Sequence, residues 1–209
     1  MRESEYMDTI EKNTVTDTLT VSAVALVELL EGASTHADKG KSALPALSSV
    51  EIKGEGGRLI ARATDRYRGI VGEIEGEGGD LAPSLISLTD IKRVIALAKD
   101  SKLSAIAFNR AGDLLTVSVS GNAITLNLMS DNYPADFNYL FDKGEPTPMG
   151  EIAFNPAFMA DYAKINAKSK AYGVSPVKLQ FRGANMPIHI ALIGDKVKWR
   201  ALLMPMKVI

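Results

Sequence analysis

The chain contains no cysteine among its 209 residues. That excludes disulfide staples, thiolate metal sites and a cysteine nucleophile. Histidine is nearly absent too: His36 and His189 are too few for a histidine-rich metal centre. There is almost no net charge, because 24 Lys and Arg stand against 25 Asp and Glu, with a sequence pI of about 6.2. No global basic excess announces a nucleic-acid binder, so any basic surface has to be local. Neither a signal-peptide pattern nor an apolar run long enough to span a bilayer is present, which predicts a cytoplasmic protein with no membrane partner. Gly54-Glu55-Gly56-Gly57 lacks the Lys and Ser/Thr of a phosphate-binding loop and reads as a hairpin turn. With no nucleophile–base constellation either, catalytic residues, metal and cofactors are all expected to be absent.

What is present is an ordinary globular composition, 46% hydrophobic and 23% charged, enough for one or two small cores. The polar residues 1–17 read as an N-terminal arm. After them a unit recurs three times. Leu19-Thr20-Val21, Leu85-Ile86-Ser87-Leu88 and Ile152-Ala153-Phe154 are short strands, each followed by a capping residue (Ser22, Thr89, Asn155) and a helical pattern. The caps recur at about 66 residues, the mark of internal duplication. Three strands follow each helix: 44–54, 57–64 and 69–78, then 103–110, 113–121 and 122–129, then 177–183, 187–194 and 196–206. The segments 76–83 and 141–150 read as links, the second being rich in Pro and Gly. This gives an α+β fold of strand–helix–three-strand units on antiparallel sheet. Its divisions are an arm 1–17, two repeats 18–140, a linker 141–150 and a third repeat 151–209.

Several features have two readings. The last eight residues, Leu202 to Ile209, are apolar where chain ends are usually polar. They form either a final core strand or one wall of a binding surface. Ile91, Val94, Ile95 and Ala98 make the buried stripe of the second helix, and Phe158, Tyr162 and Ile165 that of the third. The first helix carries Glu28 and Glu31. Glu73, Glu75 and Glu77 share one face of a strand, as a solvated face or a cation site. Asp65 beside Arg66 and Arg68 reads as a structural ion pair, and His189 as a core or edge residue.

Specific resemblance begins at Leu44-Pro45-Ala46-Leu47-Ser48-Ser49-Val50 and Ala63-Thr64-Asp65-Arg66-Tyr67-Arg68-Gly69. Together these resemble the sliding clamp of bacterial replication, the beta subunit of DNA polymerase III. Tyr133-Pro134-Ala135-Asp136-Phe137 looks like the stretch that closes the clamp's middle domain. Ile152-Ala153-Phe154-Asn155 resembles a strand-to-helix entry in its last domain, and Met204-Pro205-Met206-Lys207-Val208 its closing Met-Pro-Met-Arg-Leu. The first two repeats match the clamp's middle domain and the third only the second half of its last domain, a shortened, phage-type member.

The resemblance implies a DNA-clamp fold and a processivity factor that encircles double-stranded DNA during replication. Its partners would be DNA polymerase and clamp-loader subunits, held through short linear motifs. Carried over residue by residue, the motif pocket comprises Leu47, Thr64, Arg66, Gly69, Pro134, Tyr139, Leu202, Met204, Pro205, Met206, Lys207 and Val208. Arg66 stands where the family is usually small, and Gly69 where it is usually larger and apolar. Because Met204 and Met206 alternate with Pro205, both methionines are expected on one face of an extended strand. The DNA-facing residues would be Lys92, Arg93, Lys99, Lys164, Lys168 and Lys170, on polar helix faces that otherwise read as solvated. An odd number of units predicts a homo-oligomer, a tetramer ring or a dimer. The rival readings are a clamp-like adaptor or decoy that does not encircle DNA, and an α+β enzyme using the Glu73–Glu77 carboxylates.

Overall fold

The computed structural model describes residues 18–40, 44–101, 104–130, 133, 137–149, 151–166 and 177–206. The expected arm 1–17 lies outside them. The first unit is β1 (Thr18–Ser22), α1 (Ala23–Ser34), β2 (Ser49–Glu55), β3 (Arg58–Thr64) and β4 (Arg68–Gly78). The second is β5 (Leu81–Ser87), α2 (Leu88–Asp100), β6 (Ala105–Ala111), β7 (Leu114–Val119) and β8 (Asn122–Asn127). The third is α3 (Pro156–Asn166), β9 (Lys178–Gln180), β10 (Ile188–Ile193) and β11 (Lys198–Leu203). Helices thus begin close to all three expected caps, and every registered strand pair is antiparallel. The order β5-β2-β3-β4-β1-β6-β7-β8 shows β1 joining two meanders.

Strand β4 carries the architecture. One edge pairs with β3. The other pairs with β11 from Arg68 to Glu73 and with β1 from Gly76 to Gly78. The third unit is therefore welded to the first through backbone hydrogen bonds. Its side chains join the same core: Tyr162, Ile165, Ile190 and Trp199 pack in one cluster with Leu26, Leu29 and Leu30 of α1 and Ile91 and Val94 of α2. Each such aliphatic side chain contributes roughly 1.5–3 kcal/mol by leaving water. Glu28 is buried too, and its carboxylate accepts the N–H groups of Asp195 (3.2 Å) and Lys196 (3.3 Å) in the turn between β10 and β11. The acidic character of α1 is therefore directed inward at that turn as well as outward.

Local chemistry moved four expected boundaries. Residues Pro45–Ser48 form a 3-10 turn rather than strand, with proline at its start and Ser49 hydroxyl bonded to Ala46 O. The cap of α2 is Ser87, which accepts the Asp90 N–H at 3.1 Å, and Thr89 lies inside the helix. Asn155 does cap α3, accepting the Ala157 N–H at 3.0 Å. The segment 76–83 is mostly strand: a side chain at Gly78 would collide with Thr18 O, so its glycines serve close pairing with β1. Pro83 is tolerated because β5 is an edge strand. Ile152-Ala153-Phe154 is reduced to a single bridge between Ala153 and Met206.

Candidate functional site

The site grows from the turn between β3 and β4. Asp65 Oδ1 accepts the N–H of Tyr67 (3.1 Å) and Arg68 (3.0 Å), while the Thr64 hydroxyl donates to Arg68 O (2.7 Å). Closing this turn puts Arg66 in the left-handed region at φ 76°, which a glycine would adopt without strain. Arg68 points back into the molecule. It pairs with Asp65 (2.9 Å) and Asp161 of α3 (2.7 Å), donates to Thr35 O (2.8 Å) and lies over the Phe158 ring. Burial opposes the Arg68 charge, but the bonds to Asp161 and Asp65 outweigh it and raise its pKa. Burial likewise works against ionised Asp161, yet Lys164 and Arg68 hold its pKa below the usual value. The expected structural ion pair is thus a buried hub that joins the turn to the third unit.

On the outer side of the turn the sheet carries a cavity of about 260 Å³. Six of the expected pocket residues line it: Thr64, Arg66, Gly69, Tyr139, Leu202 and Met204. They come from three distant stretches, joined by the pairing of Thr64 with Gly69 and of Gly69 with Leu202. Arg68, Phe137, Leu140 and Pro187 complete the lining and were missed. Phe137 belongs to the 3-10 turn Phe137–Phe141, which packs its two phenylalanines on Val71 and Leu202. Gly69 makes room for it, since an added Cβ would fall 3.0 Å from the Phe137 ring. The signal for Phe137 was its four-residue spacing from Phe141 within a linker-like stretch.

The remaining expected residues are placed otherwise. Leu47 is 1% exposed and does not line the cavity, because the 3-10 turn holds it inward with its carbonyl on the Asp38 N–H. Pro205 is half-buried beyond the end of β11. The extended strand stops at Leu203, so only Met204 reaches the cavity; Met206 N–H turns to Ala153 O at 2.8 Å. Pro134, Lys207 and Val208 lie outside the described residues, as do Lys168 and Lys170. The described part of the tail is a core strand that ends in exposed methionines. Leu202 and Leu203 are buried in a strand, while Met204 and Met206 are exposed; Met204 donates its N–H to Tyr67 O at 2.8 Å and shares the cavity lining with the exposed Tyr139.

The polar helix faces are less basic than their sequence suggests. Lys92, Arg93, Lys99 and Lys164 are exposed, but Arg93 pairs with Asp90 (2.8 Å), Lys99 with Glu31 (2.8 Å) and Lys164 with Asp161 (2.7 Å). On β4, Glu73 pairs with Arg58 (3.3 Å) and Lys198 (3.7 Å), and Glu75 with Lys198 (3.1 Å). Among the described residues, no acidic or histidine group is arranged to hold a metal ion. No helix among them is long and apolar enough to cross a membrane.

No protein-family model and no curated protein matches the sequence. Solved structures do. The DNA polymerase III beta subunit of Thermotoga maritima superposes with a TM-score of 0.76 at 16% identity, over 92% of this chain and 66% of that one. The sliding clamp of Bacillus subtilis gives 0.70 at 15%, over 94% and 66%. A sliding clamp of Pseudomonas aeruginosa bound to griselimycin gives 0.66 at 12%, over 94% and 67%. The chain spans about two thirds of the length of these clamps. Its strand–helix–three-strand units on antiparallel sheet are the fold of the DNA polymerase III beta-subunit sliding clamps.

Proposed function

We propose that this chain is a sliding clamp that acts as a polymerase processivity factor, with no catalytic activity of its own. Its cavity beside Thr64 and Leu202 binds linear motifs of DNA polymerase and clamp-loader subunits, and its assembled form encircles double-stranded DNA. The observation that carries this reading is the convergence of Thr64, Arg66, Gly69, Tyr139, Leu202 and Met204, far apart in sequence, on one mostly apolar cavity. The division into a two-repeat body, a linker and a third repeat fits a protein that keeps the pocket-building part of the larger clamps. The ion-paired Glu73 and Glu75 weigh against the rival reading as an enzyme.

A second reading is a clamp-like adaptor that takes the same motifs without encircling DNA, and the partnered cations of α2 and α3 favour it. The two part at DNA. A clamp needs only loose phosphate contacts, each weak and salt-sensitive. The test is retention on nicked circular DNA after gel filtration, against the same DNA linearised. A clamp stays on the circle and slides off the linear form. Replacing Lys92, Arg93, Lys99, Lys164, Lys168 and Lys170 with Ala should abolish retention with folding intact. Equal retention on both DNAs, or on neither, supports the adaptor.

A further inference from the structure

The outer face of the sheet continues past the motif cavity across β11, β10 and β9. One cross-strand row runs Glu51, Arg62, Val71, Arg200, Ala191, Lys178, each residue opposite the next. At its near end Arg62 is paired with Glu51 at 2.7 Å. In the adjoining part of the face Lys198 is paired with Glu73 and Glu75. At the far end the pattern breaks. Arg200 and Lys178 are exposed, and no carboxylate of the described residues pairs with either. Arg182 joins them, its guanidinium fixed by Lys143 O (3.0 Å), Gly144 O (2.7 Å) and Gln180 Oε1 (3.2 Å), all neutral acceptors.

These three cations line a groove of about 290 Å³ with His189. Asp142 is the carboxylate in its lining. The Nε of Arg182 and the Nε2 of His189 are both buried without a hydrogen-bond partner among the described residues. The groove lies just across the 3-10 turn from the motif cavity: Leu202 of the cavity is the register partner of His189, and Phe141 separates the two. Arg200 stands two positions before Leu202 on the same face of β11, about 7 Å away. Lys178 lies two strands further, about 10 Å beyond.

We propose that this groove is a second docking surface, for acidic residues flanking the apolar anchors of a partner's linear motif. The proposal rests on the motif-binding reading of the neighbouring cavity. The spacing places the acidic residues roughly two to five positions from the anchor, because an extended chain advances about 3.3 Å per residue. Charge complementarity sets the occupant: three cations with no carboxylate partner among the described residues, against one Asp142, select a negatively charged stretch over a neutral or basic one. The contacts are exposed, so they act additively and weaken with salt.

The experiment titrates three peptides sharing one Gln-x-x-Leu-x-Phe-type core, with three glutamates before it, three glutamates after it, or glutamines at both ends. The proteins are wild type and a Lys178→Ala, Arg200→Ala double variant, both exposed positions, so that folding is preserved. One glutamate-bearing peptide should bind wild type about fivefold tighter than the glutamine peptide at low salt, with the gain lost at high salt. The double variant should lose the gain and bind the glutamine peptide as wild type does. Equal affinity of all three peptides for wild type, or a gain that survives in the double variant, overturns the groove and leaves the cavity standing. Failure of the glutamine peptide to bind wild type overturns the cavity reading, and the groove proposal with it.

Discussion

His36 shows how one side chain ties the site to stability. It is fully buried just beyond the end of α1, its ring tilted 49° against that of Tyr162 with centroids 4.9 Å apart, and its Nδ1 bonds the Thr35 hydroxyl. Burial, reinforced by the Arg68 charge, lowers its pKa from 6.5 to about 3. The folded-state value lies below the unfolded one, so the unfolded chain takes the proton first as pH falls. The stabilisation is complete above about 6.5 and is lost progressively from there toward 3. Each pH unit within that window costs about 1.4 kcal/mol, so going from pH 7 to pH 5 costs about 2 kcal/mol. Urea unfolding should show that loss in wild type and much less of it in His36→Leu; identical pH slopes in the two would contradict it. Nothing around His36 in the sequence marks it as buried, since its partners Tyr162 and Arg68 are remote. The Thr64–Gly69 turn was legible, because its Asp and Thr make local bonds that any similar sequence would make. Arg66 was legible only as a departure, and its cost becomes visible in the backbone angle.

Among the elements, periodicity located the helices and strands well. Of the expected stripes, Ile91, Val94, Ala98, Tyr162 and Ile165 are buried, Ile95 and Phe158 are only partly buried against the same core, and the polar faces are exposed. Three of the four misplaced boundaries involve Pro, Gly or Ser, the exception being Ile152-Ala153-Phe154. The sequence around these residues is compatible with both turn and edge strand, and tertiary pairing decides between them. The pairing of β11 with β4 is not written in either strand. It depends on Trp199, whose indole lies against Gly32 of α1 and Gly72 of β4; a Cβ at either would collide with the ring. Gly32→Ala in a helix would ordinarily stabilise by up to about 1 kcal/mol. Here overpacking should reverse the sign, with a net loss of about 1–3 kcal/mol. Thermal unfolding measures it, and a Trp199→Leu background should relieve it. A Gly32→Ala protein as stable as wild type would mean that the third unit is not clamped by this contact.

At the scale of the molecule, β5, β8 and β9 are edge strands among the described residues. Exposed edges invite pairing, and closed symmetric assembly is the usual way to cover them. Light scattering should therefore give the mass of a tetramer or a dimer, and a monodisperse monomer at high concentration would contradict the ring. Six residues that line one cavity could be named from distant stretches, while the ion pairing that mutes the helix faces could not, because Glu31–Lys99 and Arg68–Asp161 join different elements. The central claim is that the cavity beside Thr64 and Leu202 binds linear motifs. Two apolar anchors at roughly 1.5–3 kcal/mol each give about 3–6 kcal/mol, and polar contacts set against the cost of ordering a peptide leave the affinity between about millimolar and tens of micromolar. The most direct measurement is calorimetric titration of a Gln-x-x-Leu-x-Phe-type peptide into wild type and into a Tyr139→Ser, Met204→Ser variant, both exposed positions that leave the core untouched. The account predicts saturable binding to wild type in that range, weakened at least about tenfold in the variant. Absent binding to wild type, or equal binding to both proteins, would contradict it.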